Sequence, residues 1–222
     1  KLSRHLKTGD SNQAQITYSQ SAEMIWFVAL PSSFALCLIP LPLVSALFEH
    51  GETSRQDALA ISYATAIYGL GLPAFMIQKL LQPLYFARED TKTPLRFAVI
   101  SMLLNAILAI TLLKVMGWIA VAVAASASAW VTSILLWISA KKFGRAASAL
   151  KTSTNRIKRT FFASLVMGII LWAASQNIYI AMQTSAERVF FAIGLVFAGS
   201  TIYLVIVYML QAFPKNSEKA LN

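Results

Sequence analysis

Six stretches of about 20 or more mainly apolar residues constrain this chain more than any other feature of its sequence. A stretch of that length crosses the ~30 Å hydrocarbon core of a bilayer as an α-helix, because irregular backbone is not stable there. Only 13% of the 222 residues are charged, against roughly 25% in a soluble domain. The sequence therefore predicts an all-α, polytopic transmembrane helix bundle and excludes a soluble nucleic-acid binder.

The spans are predicted near residues 23–48, 58–86, 95–113, 118–140, 160–180 and 189–213. They divide the chain into a basic segment (1–22), four transmembrane helices (23–140), a basic loop (141–159), two further transmembrane helices (160–213) and a polar tail (214–222). The turn after the third span is so short that spans three and four must form an antiparallel hairpin. The chain begins with Lys1 rather than Met, and we expect it to be part of a longer protein.

Lysine and arginine are distributed unequally between the two sides of the predicted bundle. Segments 1–22, 87–96, 141–159 and 212–222 hold 15 of the 19 basic residues, and the alternate loops hold three. Basic loops stay in the cytoplasm, so both ends are predicted to be cytoplasmic. The net charge of +10 is thus explained without nucleic acid. Two interpretations of the basic loop 141–159 stay open, a purely topogenic role and binding of anionic headgroups.

Lys79 lies within the second predicted span, about seven residues from its end. One interpretation is that its stem reaches the interface. A second is that it faces a water-filled cavity and meets an anionic substrate, and a third is an ion pair with Glu23. Gln82 and Arg88 are predicted to extend Lys79 into one polar stripe along a cavity wall, with Gln78 pointing elsewhere.

Asn105 and four helix-bending residues complete the candidate positions. Asn105 either bonds a neighbouring helix or belongs to an ion or polar-network site. Pro31, Gly69, Gly71 and Pro73 are hinge candidates, because proline and glycine weaken a helix locally.

Catalytic and nucleotide-binding patterns are not found in the sequence. There is no Walker A loop, dinucleotide fingerprint, HExxH or GxSxG. The two histidines, His5 and His50, lie in loops predicted on opposite sides of the membrane. We therefore predict a transporter and not an enzyme, without a cofactor or metal, and driven by a monovalent cation or by the membrane potential.

Several motifs resemble the C-terminal part of the MurJ (MviN) family of lipid II flippases, in the MOP exporter superfamily. They are KLS at the start, ALPSS (29–33), the run 42–51, YGLGL (68–72), and Lys79 followed by YFAREDTKTP (85–94). The resemblance implies a fourteen-helix fold of two six-helix lobes and an appended helix pair. The six spans would be helices nine to fourteen, and the last two would line a groove for a lipid tail.

The resemblance also implies a function for the longer protein. It would flip the undecaprenyl-pyrophosphate-linked peptidoglycan precursor across the bacterial inner membrane by alternating access, with cell-wall synthases as possible partners. Some members hold a sodium ion near the position of Asn105, although Ala109 stands here where an acid would be expected. Two alternatives stay open: an exporter of another polyprenyl-linked polysaccharide, and a non-transporting scaffold for cell-wall synthesis.

Overall fold

The chain is helical throughout the computed structural model, which describes residues 11–147, 150–178 and 184–214. Among these residues there are seven α-helices, one 3-10 helix and no strand. The elements are α1 (Ser11–Leu38), α2 (Pro40–Phe48), α3 (Arg55–Phe86), α4 (Lys92–Met116), α5 (Ile119–Ala140), the 3-10 helix (Lys141–Ala147), α6 (Lys151–Ile178) and α7 (Ser185–Met209). Six helices are long and apolar enough to cross a membrane, which confirms the predicted class of fold.

Two helices begin about ten residues before their predicted starts. Residues 11–22, assigned from sequence to the basic segment, form the first turns of α1. The start of α6 takes up 151–159 of the predicted basic loop. Both extensions are mainly polar, so average hydropathy misses them, yet each has buried residues: Ala14, Tyr18, Ser19 and Ala22 in the first, and Ser153 in the second. Residues 1–10 and 215–222, with the KLS motif, lie outside the described residues.

The first span is a broken helix. α1 continues through Pro31 and ends at Leu38, and the chain breaks at Ile39 (φ −126°, ψ 41°). α2 then starts with Pro40 in its first turn, where a missing N–H and a fixed φ are tolerated.

α3 is the longest helix and the partner of α5. A capping box between Ser54 and Asp57 fixes its start, and its 32 residues span about 48 Å. Hydroxyl groups tie it to α5 along its length: Ser126 donates to the Ile67 carbonyl (2.8 Å), Ser133 to Ala74 (2.6 Å) and Tyr85 to Leu136 (2.7 Å). Small and polar side chains thus hold this interface, as is usual between helices in a membrane.

α4 and α5 form the predicted hairpin. Gly117 turns the chain with a φ of +56°, in the left-handed region that glycine adopts without strain. The two helices pack against each other, and Ser101 of α4 donates to the Ser128 carbonyl of α5 (3.1 Å).

The helices form two connected apolar cores. α1, α3 and α5 share one core that includes Leu81, Leu84 and Leu136. α1, α2, α6 and α7 share the other, which includes Met167, Leu171 and Val207. α1 contributes to both cores. The first span (α1 and α2) together with α3, α4 and α5 makes up the four-helix part of the bundle, and α1 joins this part to the hairpin formed by α6 and α7.

Most cations collect at one end of the bundle, which we call the basic end. Three contacts show that the helix ends there are neighbours: Arg159 donates to Leu210 O (2.9 Å), Arg156 pairs with Glu23 and Lys142 pairs with Asp90. The described basic residues at this end are Arg88, Lys92, Arg96, Lys141, Lys142, Lys151, Arg156, Lys158 and Arg159. The opposite end carries Arg55, Lys114 and Arg188.

Candidate functional site: an apolar groove and a polar groove

A groove of about 360 Å³ lies between the first span and the α6–α7 hairpin. It is lined by Phe27, Val28, Pro31, Ser32, Ala35, Ile39, Leu43, Met167, Leu171, Leu195, Val196, Gly199, Ser200, Tyr203 and Leu204. Ser32 and Ser200 turn their hydroxyls to carbonyls of their own helices, at 2.9 and 2.8 Å. The lining is therefore apolar in chemistry, and we call it the apolar groove.

Glycines in α6 and α7 explain how the apolar groove forms. A Cβ at Gly168 would lie 2.6 Å from Cδ1 of Leu38, and one at Gly199 would lie 2.8 Å from Cδ1 of Leu171. α6 can therefore approach both α1 and α7 closely. α6 becomes the floor of the groove, and α1 and α7 become its walls. From Leu195 to Leu204 the wall rises about 14 Å, roughly half of the hydrocarbon core.

A buried ion pair holds the groove at the end opposite the basic end. Arg188, at the start of α7, places Nη1 2.7 Å from Oε1 of Glu49, just after α2. The two side chains are only 14% and 7% exposed. Ser45 donates to the other carboxylate oxygen, and Arg55 lies farther off at 3.9 Å. α7 is thereby tied to the second half of the first span.

A second buried ion pair joins the same two units at the basic end. Nη1 of Arg156, on α6, lies 3.2 and 3.1 Å from the two carboxylate oxygens of Glu23 on α1. Ser153 donates to the same carboxylate. The third interpretation of Lys79, an ion pair with Glu23, is therefore wrong: Glu23 faces α6, and Lys79 is exposed on α3.

A polar groove lies between α3, α4 and α5. It is lined by Phe75, Gln78, Gln82, Pro94, Ala98, Ser101, Met102, Asn105, Ala125, Ser128, Ala129 and Thr132. Gln78 donates to the Ala129 carbonyl (3.0 Å) and to the Ser133 hydroxyl (3.3 Å). Gln82 thus shares this groove with Gln78, and Lys79 is not among its lining residues. The grouping of Gln82 with Lys79 in one polar stripe stays a prediction.

The lining of the polar groove offers a cation only neutral oxygens. Asn105 and the two glutamines could contribute amide oxygens, but no carboxylate is among the lining residues. Neutral oxygens can coordinate a cation, but they do not cancel its charge. Within the described residues, no cluster of three or more His, Cys, Asp or Glu is suited to a metal. The lining thus offers a sodium ion no charged ligand, and an ion site at Asn105 stays a prediction.

Arg88 belongs to the turn that follows α3, not to a groove wall. Its Nη1 donates to the Leu84 carbonyl (3.0 Å), and its guanidinium lies 4.2 Å from the ring centre of Phe143. In the same turn Asp90 accepts from the backbone N–H and hydroxyl of Thr93, at 3.0 and 2.9 Å, and pairs with Lys142 at 3.2 Å. These contacts hold the pKa of Asp90 below its ordinary value. The acidic turn therefore caps α4 and fastens the 3-10 helix.

The glycine hinge candidates lie at close helix contacts. A Cβ at Gly69 would lie 2.9 Å from Cys37 Sγ, and one at Gly71 would lie 2.7 Å from Ser126 Oγ. α3 is helical through both glycines and Pro73. These positions thus permit close packing with α1 and α5, and their role as hinges stays a prediction, as does that of Pro31.

Sequence analysis missed the groups that define both grooves. The sequence predicts Glu49 and Arg188 to lie outside the spans, and Gln78 to point away from Lys79 and Gln82. The available signal was one carboxylate at each end of the first span, with arginines at the matching ends of the last two. Their pairing depends on which helices become neighbours, and that is not readable from spacing.

Taken together, the six spans, the broken first span and the two lateral grooves define a multi-pass α-helical membrane protein. One groove has an apolar lining, and the other carries polar side chains. A family model described as "Lipid II flippase MurJ" matches residues 1–197. The chain therefore belongs to the MurJ family, as the resemblance in its motifs predicted.

Relatives and a solved structure agree with this assignment. A probable lipid II flippase MurJ of Rhizobium meliloti is 34% identical over 93% of this chain and 39% of its own length. Another of Vibrio cholerae is 29% identical over 99% of this chain and 42% of its own. A lipid II flippase MurJ in an inward closed conformation matches the fold with a TM-score of 0.75, at 24% identity, over 94% of this chain and 41% of that one. The chain thus spans about two fifths of the length of these relatives.

Proposed function

We propose that the protein containing this chain moves lipid II, the undecaprenyl-pyrophosphate-linked peptidoglycan precursor, across the bacterial inner membrane by alternating access. The observation that carries the proposal is the match of the MurJ family model to residues 1–197. The apolar groove supports it, because a long isoprenoid chain needs a lateral, apolar path beside the polar cavity.

The apolar groove contributes guidance more than affinity. Lipid tails are as apolar as leucine, so moving an isoprenoid from the bilayer into the groove gains no hydrophobic free energy. The gain comes from packing against fixed walls, and each atom pair adds only about 0.1–0.2 kcal/mol. Affinity must therefore come mainly from the charged headgroup, and the groove sets the direction of the chain.

The headgroup would meet polar residues of the four-helix part. Lys79 is exposed on α3 and is the cation that we assign to the pyrophosphate. Gln82 and Arg88 are further substrate-cavity candidates, acting through hydrogen bonds and through the field at the basic end. We propose that this end is cytoplasmic, following the excess of basic residues, and that cell-wall synthases are neighbours of the protein.

The proposed activity is transport without covalent chemistry and without an organic cofactor. We propose that the membrane potential or a monovalent-cation gradient supplies the free energy. One charge crossing 100 mV is worth about 2.3 kcal/mol, so the potential alone can bias a reorientation of a charged lipid. No cation is placed in the polar groove, because its lining lacks a carboxylate.

Complementation with a direct lipid readout tests the proposal. The protein is expressed from its native gene in cells that have been depleted of their own lipid II flippase. Growth should return, and lipid II should become accessible at the outer face of the inner membrane. Lipid II that stays inaccessible at normal expression would contradict the proposal. Export of another polyprenyl-linked sugar instead would favour the first alternative. Restored growth and synthase recruitment without restored lipid II exposure would favour the scaffold.

A further inference from the structure

Pro31 leaves one backbone carbonyl of α1 without its usual partner. A helical carbonyl accepts from the N–H four residues later, and proline has no N–H. The carbonyl of Phe27 therefore cannot make that bond. Inside a hydrocarbon environment such a group must be satisfied by a neighbour, because water is not available.

Tyr203 of α7 supplies the missing donor. Its hydroxyl donates to the Phe27 carbonyl at 2.6 Å, and its side chain is almost fully buried. This bond crosses the apolar groove from one wall to the other. The helix-bending residue that the sequence singled out is thus joined to the appended hairpin.

The same device occurs a second time, away from the apolar groove. Pro73 leaves the carbonyl of Gly69 without its helical partner, and Ser33 of α1 donates to that carbonyl at 2.7 Å. The hydroxyl of Ser33 thus supplies the missing hydrogen-bond donor for α3, as the hydroxyl of Tyr203 does for α1. This second case lines neither groove, and it provides a matched control.

Tyr203 also lies at the limit of the groove lining toward the basic end: on α7 only Leu204 lies nearer that end, and on α1 the lining begins at Phe27. The ring centre of Tyr203 lies 5.4 Å from that of Phe27, and the Phe213 ring centre lies 5.9 Å from that of Phe27. Toward the other end the lining includes Leu195 on α7 and Ile39 and Leu43 on the first span, none of which is aromatic. The rings of Tyr203 and Phe27 therefore stand where a chain lying in the groove would extend toward the basic end.

We propose that Tyr203 is a positioning residue that ends the apolar groove and fixes how far an isoprenoid chain extends along it, with the carbonyl freed by Pro31 as its anchor. The inference rests on the proposed function, because it assumes a lipid-linked substrate. It adds a determinant of chain length. It also predicts that Tyr203 and Pro31 act as one unit, since the hydroxyl matters only while Phe27 lacks a helical donor.

Photolabelling of the full-length protein tests this unit. The probes are a short and a long polyprenyl diphosphate, each with a diazirine on the terminal isoprene, and the labelled residues are mapped by mass spectrometry. Tyr203→Ala should move the label of the long probe past the position of Tyr203, toward Phe213. Tyr203→Phe should reduce the label at the groove end by roughly five- to tenfold, which corresponds to one hydrogen bond.

Pro31→Ala is the variant background in which the role of the Tyr203 hydroxyl is tested. This substitution would restore a backbone N–H that can donate to the Phe27 carbonyl, so Tyr203→Phe should then have little further effect on the label. Ser33→Ala serves as the control: it removes the matched carbonyl partner and should lower thermal stability without moving the label. An equal effect of Tyr203→Phe with and without Pro31 would overturn the inference, as would an unmoved label in Tyr203→Ala.

The two proposals fail in different ways. If neither probe labels the wild-type groove and lipid II is not exported, the proposed function fails. If the wild-type groove is labelled and the label ignores the Tyr203 variants, only the positioning role fails. Melting temperatures of all variants separate a displaced chain from a protein that has not folded.

Discussion

Removing Arg188 should destabilise the attachment of α7 more than removing any other cation at its end of the bundle. Nη1 of Arg188 and Oε1 of Glu49 lie 2.7 Å apart, and both side chains are largely buried. At an effective dielectric of about 20, this separation corresponds to an attraction of about 6 kcal/mol before desolvation is subtracted. Breaking a buried pair by deleting one partner costs about 3–5 kcal/mol. Arg55, at 3.9 Å, can partly compensate the charge of the carboxylate. We therefore expect Arg188→Gln to lower the free energy of unfolding by about 3 kcal/mol.

A double-mutant cycle measures this interaction. Arg188→Gln, Glu49→Gln and the double variant are unfolded by denaturant in mixed micelles, and the free energies of unfolding are compared. The double variant should cost about 2 kcal/mol less than the sum of the single variants, because neither charge is then left buried without the other. Additive effects would mean that the two groups do not interact.

Arg55→Gln is the matched control. Arg55 approaches the same oxygen of Glu49, but at 3.9 Å and with a half-exposed side chain. Exposed pairs contribute about 0–1 kcal/mol, so this variant should change the free energy of unfolding by less than 1 kcal/mol. If Arg188→Gln costs no more than Arg55→Gln, burial does not strengthen the pair and the reasoning is refuted.

Three further predictions concern the four-helix part. Gly71→Ala should lower the free energy of unfolding by about 1–3 kcal/mol, because its Cβ would lie 2.7 Å from Ser126 Oγ. Gly194→Ala, whose Cβ would have nothing within 4 Å, should be neutral or slightly stabilising. Equal effects of the two variants in a melting assay would contradict this prediction. Asp90 has a pKa lowered from 3.8 by Thr93 and then Lys142, so its contribution to stability is complete above pH 3.8 and is lost as the pH falls through the lower folded value. Asp90→Asn should remove that acid-dependent loss, and an unchanged pH profile of melting would refute the assignment. Lys79→Gln and Lys79→Arg, compared at matched expression in the lipid II assay, should both impair transport, and normal transport by both would remove Lys79 from the substrate path.

Much of the candidate site could be anticipated only as a set of residue types. Pro31 and Pro73 were readable as places where a helix loses a hydrogen bond, and Asn105 as a polar residue in a span. Tyr203 and Ser33 donate to the carbonyls that those prolines leave free. These donors could not be predicted from the sequence, because they come from other helices. Lys79 and Gln82 are neighbours on a helical wheel, yet Gln82 lines the polar groove together with Gln78, and Lys79 does not line it.

The sequence by itself determined the number of spans, the hairpin at Gly117 and the side on which the cations collect. These follow from local physics: the length of an apolar run, the conformational freedom of glycine and the sign of loop charges act without reference to the rest of the chain. The motifs from Lys79 to Pro94 also determined the family.

Only the tertiary structure decided which of these helices are neighbours. In the folded bundle Glu23 pairs with Arg156 and Glu49 pairs with Arg188. The Tyr203 hydroxyl donates to the carbonyl that Pro31 leaves free. In a bilayer every buried polar group must find its partner within the protein. The partners are therefore chosen by packing, and packing depends on all the helices at once.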